Sequence, residues 1–446
     1  MTVIASDRRT LIVGLGQTGL SCVRYLTGLG REVAVADSRA HPPGLDALQK
    51  QWPGVEVRTG AFDAQWFAQF NELIVSPGIA VSEPAIEAAG SRGARIRGDI
   101  DLFPEAASAP IIAITGSNGK TTVTTLVGEL ARACGVQAAV GGNIGTPALE
   151  LLAGQPDVYI LELSSFQLET THELNALVAT VLNVTDDHLD RYPSRVAYYQ
   201  AKQRIFRGAG NAVVNLDDPL STPMARDNLN FICYGFHRVN PGTFSTREDE
   251  QGLWITWGLE NLINTRDLKL AGLHNVSNVM AALALGHSAG WPLETIAAAV
   301  CEFRGLPHRC ESLGQVNGVE YINDSKGTNV GATVAALSSL APGCERIVLI
   351  AGGEGKGADF SPLGAAIAEH CRALVLIGRD ADAITQVVAG RVPVEKAASM
   401  DEAVALAAKA AQPGDRVVLS PACASLDMFS GYEDRGDRFR QAVEGL

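Results

Sequence analysis

The sequence has little of what marks membrane, nucleic-acid-binding or disulfide-stabilised proteins. No apolar run approaches the ~18 residues that cross a bilayer, and the opening segment lacks the charged-then-apolar pattern of a signal peptide. Lysine and arginine, 36 in all against 49 aspartates and glutamates, form no basic cluster that could follow a phosphate backbone. The eight cysteines stand singly, without metal-ligand spacing or a disulfide framework. We therefore expect a cytoplasmic protein that has neither nucleic acid nor a membrane as its partner.

The length and the apolar pattern predict a multidomain α/β protein. A chain of 446 residues exceeds what one hydrophobic core usually supports, which favours several domains. Short β-branched runs alternate with amphipathic helical stretches, and this alternation is typical of parallel sheets covered by helices. We predict three domains, at residues 1–98, 99–305 and 306–446. Between about residues 231 and 270 the pattern becomes short and alternating, which predicts a small antiparallel insertion.

Several of the predicted strands end in glycine-rich or polar segments. Strands are predicted at residues 11–13, 33–36, 73–75, 111–114, 158–163, 179–182, 319–322, 347–350, 373–377 and 417–419, and helices at 121–133, 196–206 and 276–289. In the third domain, the segments 323–329, 352–359 and 421–425 each follow a strand directly. In open parallel sheets the ligand crevice lies beyond the carboxyl ends of the strands, so we expect these three segments to share one face.

A glycine-rich segment opens the predicted helix of the middle domain. Following the strand 111–114, it reads Gly116, Ser117, Asn118, Gly119, Lys120, Thr121, which is the strand-loop-helix context of a phosphate-binding loop. Backbone N–H groups and the helix dipole would surround the phosphates of ATP, Lys120 would neutralise the outer ones, and Thr121 would bind Mg²⁺. The loop is shorter than the standard motif, whose first glycine would fall at Ile114. The alternative is an ordinary glycine-rich turn with an exposed lysine.

A second glycine pattern lies near the start of the chain. Gly14, Gly16 and Gly19 follow the first strand, and Asp37 ends the second at the distance expected for an acid that binds a ribose. The pattern by itself indicates NAD, but a nucleotide-linked substrate carries the same diphosphate and ribose. A third interpretation is close packing of helix on strand without any ligand. The turn 76–78 could add backbone N–H groups to the same ligand.

Candidate metal ligands and nucleotide contacts lie in the middle domain. Glu162 ends a strand and His188 follows another, so both should face the phosphate loop and could hold Mg²⁺. A lone histidine, however, is often structural. Lys202 lies on a predicted helix, where the simplest interpretation is a solvated lysine. Asn275 and Asn278 could cap a helix, and Asn275 is the better placed of the two.

Motifs in all three predicted domains resemble the Mur ligases. The resemblance is carried by the loop at Gly116, by Glu-Leu-Ser-Ser-Phe-Gln at 162–167, and by the segments 183–191, 323–329 and 420–427. It covers nearly the whole chain. It implies a Rossmann-like N-terminal domain that binds a UDP-sugar, a central P-loop ATPase-like domain that binds ATP, and a Rossmann-like C-terminal domain that binds the incoming amino acid.

The resemblance further implies a reaction and a pathway. The enzyme would be an ATP-dependent amide ligase that adds D-glutamate to UDP-N-acetylmuramoyl-L-alanine, through an acyl phosphate and a tetrahedral intermediate. The reaction belongs to peptidoglycan precursor synthesis in the cytoplasm, and a monomer is expected. Ser38 stands where the family commonly has threonine, Glu354 replaces a common aspartate, and Tyr432 stands where phenylalanine is frequent.

Site residues are implied by the same resemblance. The UDP-substrate would be bound by Gly16, Gln17, Thr18, Asp37, Ser38, Gly78, Asn143, Ser164 and Gln167. Beyond the phosphate loop, ATP would be bound by Thr122, Val123, Asn275, Asn278, Arg309 and Asp324. D-Glutamate would be bound by His308, Thr328, Lys356, Ser425 and Tyr432. Thr121, Glu162, His188 and Lys202 would serve the metal, with Lys202 carbamylated, and the catalytic residues would be Lys120, Glu162, His188 and Lys202.

Two other functions remain as hypotheses from the sequence. An NAD-dependent oxidoreductase rests on the segment from Gly14 to Asp37 alone. A non-catalytic nucleotide sensor would bind ATP but form no ADP with any combination of substrates. Polar residues at several strand ends favour an enzyme over a sensor.

Overall fold

Three sheets organise the computed structural model of the protein, which describes residues 9–188, 191–224, 228–270 and 272–446. Helices cover the sheets, and most neighbouring strands are parallel, which confirms the predicted α/β class. Within the described residues, no helix combines the length and the apolar character that crossing a membrane requires.

The N-terminal sheet has five parallel strands in the order β3-β2-β1-β4-β5. Its elements are β1 (Thr10–Val13), α1 (Gln17–Gly28), β2 (Val33–Asp37), α2 (Leu45–Gln51), β3 (Glu56–Thr59), α3 (Ala64–Phe67), β4 (Glu72–Val75), α4 (Pro84–Ser91) and β5 (Arg95–Arg97). The glycine pattern joins β1 to α1. At Gly14 the backbone has a φ of +97°, which favours glycine, and a side chain at Gly19 would collide with the Gly14 carbonyl.

The central sheet has nine strands in the order β14-β13-β12-β11-β10-β9-β6-β8-β7. Its elements are α5 (Asp99–Leu102), β6 (Ile111–Thr115), α6 (Lys120–Ala133), β7 (Ala138–Gly142), β8 (Val158–Glu162), α7 (Ser165–Leu168), β9 (Val178–Val181), α8 (Arg195–Gln203), β10 (Asn211–Asn215), β11 (Asn230–Gly235), β12 (Thr243–Asp249), β13 (Gly252–Trp257), β14 (Glu260–Asn264), α9 (Leu273–Ser288) and α10 (Leu293–Glu302). The phosphate loop connects β6 to α6. Glu162 ends β8 and Asn183 follows β9, and both strands flank β6, so these residues lie beside the loop.

The predicted antiparallel insertion is correct only in part. Antiparallel pairing joins β12 to β13 and β13 to β14, but β11 pairs in parallel with both β10 and β12. The segment therefore extends the edge of the central sheet and forms no separate unit. The alternation of apolar and polar residues shows that one face of these strands is buried and the other exposed. It does not show whether the neighbouring strand is parallel or antiparallel.

The C-terminal sheet has six strands in the order β15-β16-β20-β17-β18-β19, and only β15 is antiparallel to its neighbour. Its elements are β15 (Glu311–Val316), β16 (Val319–Asn323), α11 (Val330–Leu340), β17 (Ile347–Gly352), α12 (Ser361–His370), β18 (Cys371–Ile377), α13 (Ala381–Val388), β19 (Val394–Lys396), α14 (Met400–Ala410), β20 (Arg416–Leu419) and α15 (Tyr432–Glu444). The loops after β16, β17 and β20 meet at one edge, as predicted. Gly352 N donates to Pro421 O at 2.8 Å, and Ala422 N donates to Gly327 O at 2.9 Å.

Every predicted strand is present, with ends that differ by at most two residues. The sequence patterns missed short edge strands such as β3, β5 and β19, because these carry charged residues and lack an apolar run. The N-terminal and central sheets share a continuous apolar cluster that includes Val23, Ile100 and Tyr159. Phe103 packs edge-on against Tyr159, with ring centroids 5.0 Å apart.

Candidate active site

The phosphate loop has the backbone geometry that its glycines require. Gly119 lies at the N-cap of α6 with a φ of +81°, and a Cβ atom there would meet Asn278 Oδ1 at 2.5 Å. Only glycine fits this position without strain. Lys120 Nζ donates to Gly116 O at 2.8 Å and to Ser117 O at 3.0 Å. Burial lowers the pKa of Lys120, and the nearby charge of Glu162 opposes that shift.

Hydrogen bonds to residues that follow β9, and to Tyr198 of α8, hold the phosphate loop in place. Asn183 Oδ1 accepts from Asn118 N at 2.8 Å, and Asn183 Nδ2 donates to Asn118 O at 3.1 Å. Ser117 Oγ donates to Thr185 O at 3.0 Å and lies 2.9 Å from Tyr198 Oη. Asn183 and Thr185 were not predicted as site residues, although both lie in the polar segment 183–191 that follows a strand.

Glu162 and His188 face the same space as Lys120. Glu162 is buried; its Oε1 accepts from Asn143 Nδ2 at 2.8 Å, whereas Oε2 has no hydrogen-bond partner among the described residues. Burial lowers the pKa of His188, although the charge of Asp187 opposes this shift. The lowered pKa keeps the imidazole neutral near pH 7. A neutral imidazole offers a lone pair to a metal or to a proton.

Lys202 is buried, contrary to the simplest interpretation of its helix position. Only 1% of its surface is exposed, and Nζ donates to Gly116 O at 2.9 Å. The amine also lies 4.5 Å from the centre of the Tyr198 ring. Burial, followed by the charge of Lys120, sets the pKa of Lys202 well below its usual value. The interpretation as a solvated lysine is therefore wrong, because α8 turns this residue under the phosphate loop.

A cavity of about 280 Å³ lies between α9, α11 and the loop after β16. It is lined by Asn118, Gly119, Thr122, Asn275, Asn278, Arg309, Asp324 and Lys326, among others. Neither asparagine caps α9, because the helix begins at Leu273 and its N-cap is Gly272. Burial raises the pKa of Asp324 to about 6, although its carboxylate accepts from Ser420 Oγ at 2.7 Å.

A larger cavity of about 600 Å³ continues from there to the predicted amino-acid residues. Its walls include Lys120, Thr121, Asn143, Glu162, His188, Arg309, Lys326, Thr328, Lys356 and Tyr432. The central and C-terminal sheets both contribute to these walls. Asn329 joins the two sides, since its Nδ2 lies 3.2 Å from both Asn118 Oδ1 and Asp187 Oδ2. Residues predicted for the phosphates, the metal and the amino acid therefore surround one space.

Lys326 and Asn329 are site residues that the sequence reasoning did not single out. Lys326 Nζ lies 3.7 Å from the centre of the Tyr432 ring, a cation–π geometry. Burial and then the charge of Arg309 lower the pKa of Lys326 to about 8. Both residues lie in the segment 323–329, so their position after a strand was the available signal.

Five residues predicted for ATP, the metal or the amino acid lie beside the two cavities rather than at their surface: Gly116, Val123, Lys202, His308 and Ser425. Val123 is fully buried in the apolar core under the central sheet, which leaves only its backbone for contact with a nucleotide. His308 is buried, with Nδ1 3.1 Å from Asn323 Nδ2, and a side chain at Gly436 would collide with its ring. Ser425 is buried at the end of the loop after β20.

Six of the nine predicted UDP-substrate residues form a rim at the carboxyl edge of the N-terminal sheet: Gly16, Gln17, Thr18, Asp37, Ser38 and Gly78. Gly16 and Thr18 are half-buried, whereas Gln17, Ser38 and Gly78 are exposed.

Asp37, by contrast, is buried, and its carboxylate accepts from Leu15 N at 2.7 Å and from Arg39 Nε at 2.9 Å. Burial tends to raise the pKa of Asp37, but the hydrogen bonds from Arg39 and Leu15 outweigh it and lower the pKa. In this structure Asp37 thus holds the glycine loop and orients Arg39.

The rim is tied to the central sheet by Arg191. Its guanidinium donates to Ile79 O at 3.0 Å and to Pro77 O at 3.4 Å, and it pairs with Glu169 at 2.8 Å. The turn 76–78 therefore faces the central sheet.

On the central sheet's side of this junction, Ser164 and Gln167 form a capping box on α7. Gln167 is buried and its Oε1 accepts from Ser164 N at 3.0 Å, while Asn143 is exposed beside Glu162. Asn143 also lines the larger cavity.

Known proteins resemble this chain over its whole length. Family models described as "Mur ligase MurD-like, N-terminal domain", "Mur ligase middle domain" and "Mur ligase, glutamate ligase domain" match residues 8–98, 114–286 and 308–423. A UDP-N-acetylmuramoylalanine–D-glutamate ligase of Marinobacter nauticus is 68% identical, with 100% of each chain covered. A ligase of the same name from Pseudomonas syringae is 52% identical, again with 100% of each chain covered.

Solved structures share the fold at low sequence identity. The UDP-N-acetylmuramate-alanine ligase of Thermotoga maritima has a TM-score of 0.59 at 19% identity, and the match covers 98% of this chain and 99% of that one. A pseudomurein peptide ligase from Methanothermus fervidus has a TM-score of 0.62 at 18% identity, with the same coverage. The resemblance noted in the sequence is confirmed by family matches in all three parts of the chain and by relatives of high identity over its full length: the chain belongs to the Mur ligase family.

Proposed function

We propose that this chain joins D-glutamate to the L-alanine carboxylate of UDP-N-acetylmuramoyl-L-alanine, at the expense of ATP, in the synthesis of peptidoglycan precursors. One observation carries the proposal: the phosphate loop, three candidate metal ligands (Thr121, Glu162 and His188) and three residues predicted to bind the amino acid (Thr328, Lys356 and Tyr432) all line the same cavity of about 600 Å³. The names of the two relatives that align over the full length support the same substrates. An ATP-dependent ligase needs this convergence because the carboxyl group of one substrate reacts first with the γ-phosphate of ATP and then with the amine of the amino acid.

The three functions of such a ligase divide among three domains, for which we propose the boundaries 1–98, 99–305 and 306–446. In support, each of the three sheets lies within one of these ranges. The first domain would bind the UDP moiety, the second ATP, and the third the amino acid. We propose that the enzyme acts as a monomer in the cytoplasm.

In the first step, a carboxylate oxygen of L-alanine would attack the γ-phosphorus of ATP, and ADP would leave. Both reactants are anions, so the step needs positive charge at the transferring phosphoryl group. Lys120 would supply it by exchanging its bonds to the loop carbonyls for bonds to phosphate oxygens. Arg309, which lines both cavities, would add a second cation from the opposite wall.

The residues present fit Mg²⁺ as a partner of ATP. Glu162 offers a buried carboxylate oxygen that lacks a partner in the described chain, His188 a neutral imidazole, and Thr121 a hydroxyl at the start of α6. Among the described residues, no group of three or more His, Cys, Asp or Glu side chains is arranged around a common metal position. Mg²⁺ characteristically takes phosphate and water oxygens for its other ligands. When bound, it would supply further charge neutralisation at the phosphates.

Lys202 has the environment that carbamylation of an amine needs. Its lowered pKa favours the neutral amine, whose nitrogen can attack CO₂ to form an N–C bond, with loss of one proton to give a carbamate anion. The product exchanges a buried cation beside Lys120 for an anion. We propose that this anion orients the metal region through the phosphate loop, against which Lys202 already packs.

In the second step, the amine of D-glutamate would attack the acyl carbon, and the tetrahedral intermediate would collapse to the amide and phosphate. A dicarboxylate substrate needs cations and hydroxyl donors. Lys356 and Thr328 line the cavity, and Ser425 lies at the end of the neighbouring loop. Lys326 adds a cation between the nucleotide side and the amino-acid side, because it lines both cavities.

An assay of phosphate release across a panel of amino acids tests this function. We expect release only when ATP, Mg²⁺, UDP-N-acetylmuramoyl-L-alanine and D-glutamate are all present. Equal release with L-alanine or L-lysine would assign the activity of another member of the family. ATP binding without ADP formation under any combination would support a sensor, and calorimetric binding of NAD would support an oxidoreductase.

The ring of Tyr432, rather than its hydroxyl, is expected to matter for activity. Tyr432→Phe preserves the surface on which Lys326 lies, so kcat/KM for D-glutamate should stay within about twofold. Tyr432→Leu removes a partly desolvated cation–π contact of about 1–2 kcal/mol, so kcat/KM should fall roughly five- to thirtyfold. Steady-state phosphate release measures both. Equal losses in the two variants would assign the effect to the hydroxyl group.

A further inference from the structure

Arg435 is the largest charged side chain that the structure buries completely, with 0% of its surface exposed. It lies in the first turn of the C-terminal helix α15. Among the described residues, no carboxylate lies within 4.0 Å of its guanidinium nitrogens. A buried cation without a paired anion costs free energy, so its retention calls for a specific role.

The guanidinium donates all of its observed hydrogen bonds to two loops. Nε donates to Ser325 Oγ at 3.0 Å, and Nη2 donates to Ser325 O at 2.8 Å. Nη1 donates to Cys423 O at 3.1 Å and to Ala424 O at 3.3 Å. Residues 324–329, which follow β16, contain Asp324, which resembles the acid that holds the ATP ribose in the family, and we call them the ribose loop. Residues 421–425, which follow β20, contain Ser425, and we call them the amino-acid loop.

The contacts of Arg435 lie next to proposed substrate residues in both loops. Ser325 stands between Asp324 and Lys326, which line the nucleotide cavity. Ala424 precedes Ser425 and also pairs with Glu354, through N–H···O bonds of 2.9 and 3.0 Å. That pairing extends the connection to the loop after β17, which carries Lys356.

The charge of Arg435 is retained at neutral pH. Burial lowers the pKa of Arg435 to about 10, which is still well above 7. The positive charge of Arg435 behind the amino-acid loop favours a bound dicarboxylate. Its planar guanidinium group has N–H donors in a fixed geometry, which hold the two loops at a constant separation.

We propose that Arg435 is a positioning residue that couples the nucleotide side of the site to the amino-acid side by holding the ribose loop against the amino-acid loop. It touches neither substrate. Without it, the direct bond from Ala422 N to Gly327 O still joins the two loops, but the segments at Ser325 and at Cys423 and Ala424 lose their shared donor. Asp324 and Ser425, which adjoin these segments, are then held less firmly at the separation that the two substrates need. The UDP-substrate residues lie at the N-terminal and central sheets and do not depend on this anchor. The inference rests on the proposed function, because it assumes that both loops bind substrates.

Arg435→Met in the full chain tests the inference, with Arg438→Met as its matched control. Arg438 lies one turn further along α15, is exposed, and pairs only with Asp434 in the described structure. For Arg435→Met we expect KM for D-glutamate and KM for ATP to rise together by at least about tenfold, from the loss of charged hydrogen bonds. KM for the UDP-substrate should stay within about twofold, and Arg438→Met should match the unmodified chain in all three.

The outcomes separate this inference from the proposed function. An unmodified chain that releases no phosphate would overturn the proposed function, whereas an active chain whose Arg435→Met variant keeps all three KM values overturns only the role of Arg435. Equal rises in all three KM values would indicate general loss of structure and also overturn it. If Arg435→Met does not fold, Ser325→Ala tests the inference instead, because it removes the hydroxyl oxygen that accepts from Arg435 Nε. In that variant KM for D-glutamate and KM for ATP should each rise about threefold. Calorimetry with ADP alone should show weaker binding in either variant.

Discussion

Replacing Lys120 with methionine is expected to lower kcat for phosphate release by roughly a thousandfold, the effect typical of losing a charge that stabilises a transition state. The physical reason is the repulsion between the L-alanine carboxylate and the γ-phosphate, which Lys120 is placed to offset. Its Nζ lies against Gly116 O and Ser117 O at the start of α6, where the helix dipole also favours phosphate. Single-turnover formation of ADP measures the step directly.

Binding of the UDP-substrate to the Lys120→Met variant should be unchanged, because the rim at the N-terminal sheet makes no use of this residue. Lys409→Met serves as the control, since Lys409 is an exposed lysine on α14 and should leave kcat unaltered. A Lys120→Met variant that keeps more than about a tenth of kcat would contradict the role proposed for the phosphate loop.

Lys202→Ala is expected to lose at least about a hundredfold in kcat and to recover part of it when formate or acetate is added. The alanine leaves a cavity beneath the loop that a small carboxylate can enter, and the carboxylate replaces the carbamate anion. Steady-state phosphate release with increasing acid measures the recovery. A chain labelled with ¹³C-bicarbonate should also show a carbamate carbon signal that Lys202→Ala lacks.

Two variants sharpen this experiment. Lys202→Arg keeps a cation but cannot form the carbamate, so it should be as inactive as Lys202→Ala. Lys120→Met should not respond to added acids, because its lost group is a cation. If Lys202→Arg remains active, or if acids fail to restore Lys202→Ala, Lys202 acts through its packing against Gly116 and carries no carbamate.

Local patterns in the sequence were sufficient for many of the strands and for the phosphate loop. The apolar runs predicted ten strands because burial on both faces leaves a continuous apolar signature, but they missed β10, which lies inside the central sheet. Gly119 was identifiable because a glycine-rich loop between a strand and a helix indicates a phosphate-binding loop. The positions of Glu162, His188 and the segment 323–329 followed from the rule that ligands bind beyond the carboxyl ends of parallel strands. Short charged edge strands escaped the same reasoning because they lack that signature.

The burial of Lys202 and Asn275 was beyond the local sequence patterns, although the resemblance to the Mur ligases had already indicated both residues. Lys202 appeared to be a solvated lysine, yet α8 places it beneath Gly116 with 1% of its surface exposed. Asn275 appeared to be a helix cap, yet α9 begins two residues earlier and directs it to the nucleotide cavity.

The sequence by itself determined most of the elements, because turn geometry and apolar periodicity depend on neighbours a few residues apart. Its motifs indicated the family and, through the family, the chemistry of each loop. Only the tertiary structure decided which charges share a space. Asn329 meets Asn118 across 211 positions of sequence, and Arg435 meets Ser325 across 110. Such contacts arise from the packing of whole sheets. That packing decides which charged groups are buried and which hydrogen-bond partners offset the free-energy cost of burying them.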